Sequence, residues 1–388
     1  MNRYDCVIVG GGPVGCHTAS ELAKHGHQVA VLEKNLTVGQ PVCCTGLISF
    51  QCFKQYAIPV ELVLRELSSA SVYAPGGTVL HLARPEAQAV VIDRGAYNAH
   101  MARQAQENGA DYLLGHRVSE IVLNPDGVIL RVIQNGREVL FATRSVALAC
   151  GFGSRLPQAI GLGKVGQWTV GAQVEVEATD LREVEIFLGR ELAPGYFAWL
   201  VPVEGKRALA GLMADKCTHK YLERYLSMLQ ECGRVSSILT KPTYRGITLS
   251  APSRLCAPRV MLIGDAAGQV KPLTGGGLYF GLLCADMASS ALHNAIEKDD
   301  FSARRMKVYN DELRKKLGRE IRFGWYGHKL FAKMSDNTIQ RMAKWALRHK
   351  MTERIAASTQ IAFDWHGAAF FHLFKQGLWP FGSDKKDK

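Results

Sequence analysis

The segment Gly10-Gly11-Gly12-Pro13-Val14-Gly15 is the feature that most constrains this chain. It satisfies the GxGxxG pattern in the setting that gives the pattern meaning. An apolar run typical of a buried parallel strand (residues 4–10) precedes it, and residues 13–25 follow with Val14, Thr18 and Leu22 at helical spacing before Gly26. Gln28-Val29-Ala30-Val31-Leu32 reads as a second strand, ended by Glu33. The whole is a βαβ unit of about thirty residues, the size a right-handed crossover requires. Gly10 permits a tight turn, Gly12 lets the backbone approach a pyrophosphate, and Gly15 lets helix and strand pack closely. Pro13 and Val14 open the helix, whose unpaired N–H groups favour phosphate. Glu33 can accept hydrogen bonds from ribose hydroxyls. The unit is read as a dinucleotide site.

A second segment indicates which dinucleotide. Ile263-Gly264-Asp265-Ala266-Ala267-Gly268 follows the apolar run Val260-Met261-Leu262, and Pro272-Leu273-Thr274-Gly275-Gly276-Gly277 follows it before a long helix (277–296). An Asp at a strand end suits the ribitol chain of FAD, which nicotinamide cofactors lack. The Gly275, Gly276 and Gly277 stretch lets a helix N-terminus reach the flavin ring edge and stabilise negative charge there.

Between these segments residues 35–50 read as a loop, residues 70–92 as strands around Pro75-Gly76-Gly77, and Ala96 to Asn108 as a helix. Strands are expected at 112–123, 128–133 and 138–149, then a mostly β region over 165–250 with one helix at about 219–232. Residues 303–375 read as almost entirely helical. The expected class is α/β (α+β). A discontinuous Rossmann-like FAD-binding domain (1–68, 88–160, 255–298) carries a mainly β substrate domain (69–87, 161–254) and a helical C-terminal region (299–388).

Within the FAD-dependent hydroxylase and geranylgeranyl reductase superfamily, the chain resembles the geranylgeranyl reductase family. Gly39 to Ser49, containing Pro41-Val42-Cys43-Cys44-Thr45-Gly46, is similar to that family's Pro-Val-x-Cys loop over the flavin. Asp93-Arg94 resembles its Asp-Arg motif, whose Arg reaches the cofactor. Tyr196-Phe197-Ala198-Trp199-Leu200-Val201-Pro202 resembles its aromatic stretch against the substrate cavity, and Gly264 to Gly277 matches its glycine signatures. The resemblance implies cofactor contacts at Lys34, Cys44, Thr45, Arg94, Val118, Gly264, Asp265 and Leu278 beside those already named. It also implies catalytic candidates Cys44, Tyr196 and Trp199. The implied activity is reduction of C=C bonds in the prenyl chain of a membrane lipid or prenylquinone, with NADPH, ferredoxin or another carrier as electron donor. Cys150 stands where relatives have Asp, and Cys44-Thr45-Gly46 departs from the Cys-Gly-Gly loop of the chlorophyll branch.

Taken without the family, these residues leave alternatives open. Tyr196, Phe197 and Trp199 either line an apolar cavity or are plain core; Cys44 is either near the flavin or a buried small residue. Arg94 either pairs with a cofactor phosphate or opens a helix at the surface. A flavin monooxygenase or halogenase on the same scaffold is a rival reading, although Gly268-Gln269 stands where hydroxylases often carry His. A flavin or lipid carrier without turnover is another.

A formal net charge of +12 favours anionic partners, and much of the excess lies after residue 300. A nucleic-acid motif is missing, so nucleic acid is not an expected partner. The ten cysteines form no CxxC pairs or metal-ligand rhythm with His, and no metal is expected. No segment reads as a secretory signal, and no apolar run reaches the roughly 18 residues of a membrane span. The expected location is cytoplasmic, with a peripheral place at the inner face of the membrane left open. Trp365, Phe370, Phe371, Phe374, Trp379 and Phe381 suit an interface, or equally a packed helix.

Overall fold

The structure, a computed structural model, describes residues 3–40, 42–358 and 362–365. Pro41 and the aromatic residues Phe370, Phe371, Phe374, Trp379 and Phe381 lie outside the described residues. The chain forms two compact units. The first comprises Met1–Cys44, Asp93–Thr169 and Arg245–Ile321; the second comprises Thr45–Ile92, Val170–Tyr244 and Arg322–Lys388.

The first unit is built on five parallel strands, in the order Val260–Leu262, Arg137–Leu148, Arg3–Val9, Val29–Leu32 and Asp111–Leu113. Their final residues are in register: Leu262 pairs with Leu148, Leu148 with Val9, Val9 with Leu32, and Leu32 with Leu113. One row therefore carries every strand end, and the chain order reverses direction at Arg3–Val9. That is the topological switch point at which open α/β sheets hold ligands. Val7, Ile8, Ala30, Val31, Val146 and Ala147 are fully buried, as strands covered on both faces demand. The helices Pro13–Lys24 and Leu278–Glu297 pack on the sheet, and His17 Nε2 lies 2.6 Å from Asp286 Oδ1 between them.

The expected strand over 112–123 is two elements. Asp111–Leu113 continues the parallel sheet, whereas Arg117–Asn124 belongs to an antiparallel meander with Gly127–Gln134 and the first half of Arg137–Leu148. Gly115, at φ +70°, lies in the break between them. The helix expected from Ala96 starts at Arg94 instead, because Asp93 Oδ1 accepts from Gly95 N and Ala96 N at 2.9 Å each.

The second unit holds a seven-strand run: Val235–Ile238, Trp168–Ala178, Arg207–Ala214, Phe197–Pro202, Val184–Leu188, Ser69–Tyr73 and Val79–Ala83. Ala198, Leu200, Ala210 and Leu212 cluster with Leu222, Tyr225, Leu226 and Leu229 of the helix Thr218–Glu231. Trp199, Val201, Leu209 and Ile186 pack on the opposite face with Leu67 and Val91 of a small three-stranded sheet. The region read as a loop over 35–50 ends in the strand Leu47–Ser49 and the helix Phe50–Gln55, capped by Ser49 Oγ accepting from Cys52 N at 2.9 Å. Three residues are too few for strand alternation to register. Beyond residue 300 the helices among the described residues are Ala303–Lys333, Asp336–Arg348 and Met351–Ala357. Ser335 caps the second, and Lys350, in a left-handed conformation (φ +51°), opens the third. None of the described helices is long and apolar enough to cross a membrane.

Candidate functional site

At the switch point, Gly10 N donates to Leu32 O at 2.9 Å, and its φ of +112° is one that L side chains rarely adopt. A Cβ on Gly10 would strike the Ala149 carbonyl, and one on Gly15 would strike the Gly10 carbonyl. A Cβ on Gly12 would meet nothing within 4 Å. Of these three glycines, two are demanded by packing inside the protein, and Gly12 leaves open space at the first turn of the helix. Pyrophosphate approach requires such space there.

Glu33 Oε2 accepts from Gly11 N at 2.8 Å, and Oε1 accepts from Asn35 N at 2.9 Å. The carboxylate is thereby fixed at the strand end with lone pairs left on both oxygens. Tyr112 donates to Gly11 O at 2.9 Å, and its phenol is pushed well up by burial, then by Cys16 and Glu33, so it stays a donor. Lys34 is exposed beside Glu33. Cys150, at the neighbouring strand end, is pushed up by burial, against which the Lys34 charge acts. Val118 is buried and follows His116, whose N–H donates to the Glu33 carbonyl at 2.8 Å.

The two glycine motifs, far apart in sequence, meet at Val14. A Cβ built on Gly264 would lie 3.3 Å from Val14 Cγ1, and one on Gly281 would lie 2.6 Å from Val14 Cγ2. Asp265 follows the strand Val260–Leu262 in a short turn, and its Oδ1 would lie 2.8 Å from a Cβ on Gly277. The Gly275–Gly277 loop is closed by Gly275 N donating to Lys271 O (2.8 Å) and Lys271 N to Gly276 O (3.0 Å), after which Leu278 opens the helix. Sequence reasoning missed three supports of this turn. Arg245 Nη2 lies 3.5 Å from Asp265 Oδ2, Gln269 Oε1 accepts from Gly264 N at 2.6 Å, and Gln269 Nε2 donates to Tyr309. Gln269 is 1% exposed and anchors the turn, a role that no motif announces.

Arg94 lies in the first turn of its helix, over the Tyr97 ring at 5.4 Å. Its Nε and Nη1 are buried and have no hydrogen-bond partner among the described residues. One turn later, Asn98 Oδ1 is in the same condition, while Asn98 Nδ2 donates to Gly39 O at 3.4 Å. Thr274 Oγ1 is a third buried polar atom without such a partner. Buried donors left unpaired cost about 1–3 kcal/mol each, so a cationic fork in this state fits an anionic group of a bound molecule.

Cys44 is exposed, so its reading as a buried small residue does not hold. In the second unit, Thr45 Oγ1 donates to Gln173 Oε1 at 2.8 Å. Gln173 pairs with Gly211, and Gly211 with Trp199, so the three share one face of the sheet. The Trp199 ring lies over Gly211, and its indole Nε1 is buried without a partner among the described residues. Tyr196 is 2% exposed, donates to Asp215 Oδ1 at 2.9 Å and stacks on His328 at 4.6 Å.

The family model for the lycopene cyclase protein matches residues 5–364. The chain belongs to this lycopene cyclase family. Among its relatives is a digeranylgeranylglycerophospholipid reductase from Methanocaldococcus jannaschii, 29% identical over 356 residues that cover 88% of this chain and 90% of the relative. The resemblance to the geranylgeranyl reductases therefore holds within the lycopene cyclase family. A geranylgeranyl bacteriochlorophyll reductase-like protein from Thermoplasma acidophilum has the same fold, with a TM-score of 0.85 at 22% identity, 97% of each chain being covered. A flavin-dependent halogenase shares it less closely, with a TM-score of 0.71 at 17% identity, covering 97% of this chain and 78% of the halogenase.

Proposed function

We infer that the chain is an FAD-dependent reductase that hydrogenates C=C bonds in the polyprenyl chain of a membrane lipid or prenylquinone. The observation that carries this reading is the near end-to-end relationship to a digeranylgeranylglycerophospholipid reductase. The residues fit the cofactor. Gly10, Gly12, Pro13, Val14 and Gly15 would receive the pyrophosphate, Glu33 a ribose and Asp265 the ribitol chain; Arg94 would pair with a phosphate. The Gly275–Leu278 amides would flank the ring, and Lys34, Cys44, Thr45 and Val118 would complete the surround. When bound and reduced, FAD supplies hydride at N5.

The protein's own share is an apolar, water-excluding surface and a proton. The Trp199 face, with Ile186, Val201 and Leu209, is the surface assigned to the prenyl chain. Of the two proton-donor candidates, Tyr196 already donates to Asp215, whereas the Cys44 thiol is exposed. Cys44 is accordingly the assigned donor. NADPH, ferredoxin or another carrier would supply the electrons. A peripheral membrane contact is assigned to Phe323, Tyr326 and Leu330, exposed at helical spacing among Arg322, Lys329 and Lys333.

The family's name favours a second reading, a redox-neutral cyclisation of a polyene. One experiment separates the readings: the FAD-loaded, dithionite-reduced protein is incubated anaerobically with geranylgeranyl lipids or menaquinone, and the products are weighed. Gain of two hydrogens per double bond is expected. An isomer of unchanged mass would support cyclisation, and no product at all would return the carrier reading.

A further inference from the structure

We propose that His27, His293 and Glu297 form a binding site for a divalent transition-metal ion of the zinc, nickel or copper class. One ligand atom from each lies within 4.8 Å of the others. His27 sits between the helix Pro13–Lys24 and the strand Val29–Leu32, while His293 and Glu297 are four residues apart on the helix Leu278–Glu297 and share a face. His27 Nε2 and His293 Nδ1 are 2.8 Å apart. Two ligands of a tetrahedral ion with metal–nitrogen bonds of ~2.0–2.1 Å stand roughly 3.3 Å apart, about half an ångström beyond this separation. The pair thus needs little movement to share an ion, and a His–His hydrogen bond alone would give Glu297 no part.

The surroundings favour a cation. Both helices end beside the cluster, and their C-terminal carbonyls place partial negative charge there. The nearby Arg144 is neutralised by Asp5 at 2.7 Å and Asp299 at 2.8 Å. His27 is 7% exposed, and burial, then the neighbouring His293, hold its imidazole below the usual range; the neutral ring is the metal-binding form. His25 stacks on His293 at 4.0 Å and limits its ring rotation. Glu297 is exposed and gives the ion a path of entry. Imidazole and carboxylate together suit zinc, nickel or copper, with water completing the coordination.

The site lies at the opposite end of the strand Val29–Leu32 from Glu33, six residues away, or roughly 20 Å at ~3.3 Å per residue. It is therefore remote from the glycine loop, and the ion would tie a helix end to a strand start without touching the reacting groups.

The test uses the untagged FAD-loaded enzyme, stripped with EDTA and titrated calorimetrically with Zn²⁺ and with Ni²⁺, with metal content measured after dialysis. One ion per chain and a raised melting temperature are expected. His293→Ala and Glu297→Gln should each weaken binding at least about tenfold, since losing even an outer-shell partner costs ~10–100-fold. Unchanged FAD content in both variants establishes that they fold. Absence of uptake by the wild-type protein, or undiminished uptake by either variant, overturns the proposal.

Discussion

Arg94→Met should move the cofactor-free and cofactor-bound protein in opposite directions. Arg94 Nε and Nη1 are buried without partners among the described residues. Each such donor costs about 1–3 kcal/mol, so removing both should relieve roughly 2–6 kcal/mol. Against this stands the loss of the contact over Tyr97, worth about 0.5–2 kcal/mol. Methionine retains most of the apolar stem, so a net stabilisation of the FAD-free protein is expected. In the bound state the same change removes charge-assisted hydrogen bonds worth about 1.5–3 kcal/mol. That corresponds to a roughly 10- to 150-fold rise in Kd. Arg94→Lys should fall between, keeping the charge but losing the planar fork.

The assay is fluorescence titration of FAD into stripped protein, with urea unfolding of both forms. A Kd unchanged in Arg94→Met would refute the phosphate assignment. A destabilised FAD-free variant would refute the argument from buried, unpaired donors.

Gly211→Ala should cost about 1–3 kcal/mol, because the added Cβ would lie 2.5 Å from Trp199 Cζ2 and 2.6 Å from the Ala172 carbonyl oxygen; urea midpoints and the indole emission would report it. His328 is held below the ordinary 6.5 by burial, with Asp215 acting the other way. The unfolded chain therefore takes up a proton first as pH falls through 6.5. Stability is present above that value and lost as pH falls through the folded-state pKa. His328→Asn should flatten this acid limb, and an unchanged slope in unfolding measurements at a series of pH values would contradict the assignment. Phe323→Glu, Tyr326→Glu and Leu330→Glu combined should abolish flotation with anionic liposomes while leaving FAD content unchanged; retained flotation would move the membrane contact elsewhere.

What the sequence made legible was local. A glycine between a strand and a helix signals its turn through its immediate neighbours, so Gly10, Gly12 and Gly15 could be assigned roles before any contact was known. The apolar runs ending at Val9, Leu32, Leu148 and Leu262 likewise announced buried strands, but only the pairing showed that they end in one row. Tyr112 and Arg245 were missed because their partners lie at distant positions brought close by folding, as does one of the two partners of Gln269. Gln269 reaches Gly264 and Tyr309, and Tyr112 reaches Gly11 across the width of two strands. On the strand Phe197–Pro202, Phe197, Trp199 and Val201 fall on one face, and which face that is follows only from the packing. The face opposite the Thr218–Glu231 helix is decided by Ala198 and Leu200, whose cluster includes that helix. Asp93 was legible as a helix cap in principle, and overlooking it put the helix start two residues late, at Ala96.

The choice between reduction and cyclisation turns on where a proton can come from. Protonating an alkene to start a cyclisation requires a neutral acid aimed into apolar surroundings. On the Trp199 face the carboxyl group nearest in register is Glu175, two residues from Gln173 and opposite Leu209. Its side chain is ion-paired with Arg207. A carboxyl group engaged by a guanidinium is occupied as an acceptor, which makes a poor initiating acid but is no obstacle to a reaction begun by hydride. Glu175→Gln should therefore leave the anaerobic gain of hydrogen within about threefold of wild type, since an exposed pair of this kind contributes at most about 1 kcal/mol to stability. Loss of all product with FAD content intact would identify Glu175 as the proton source in place of Cys44.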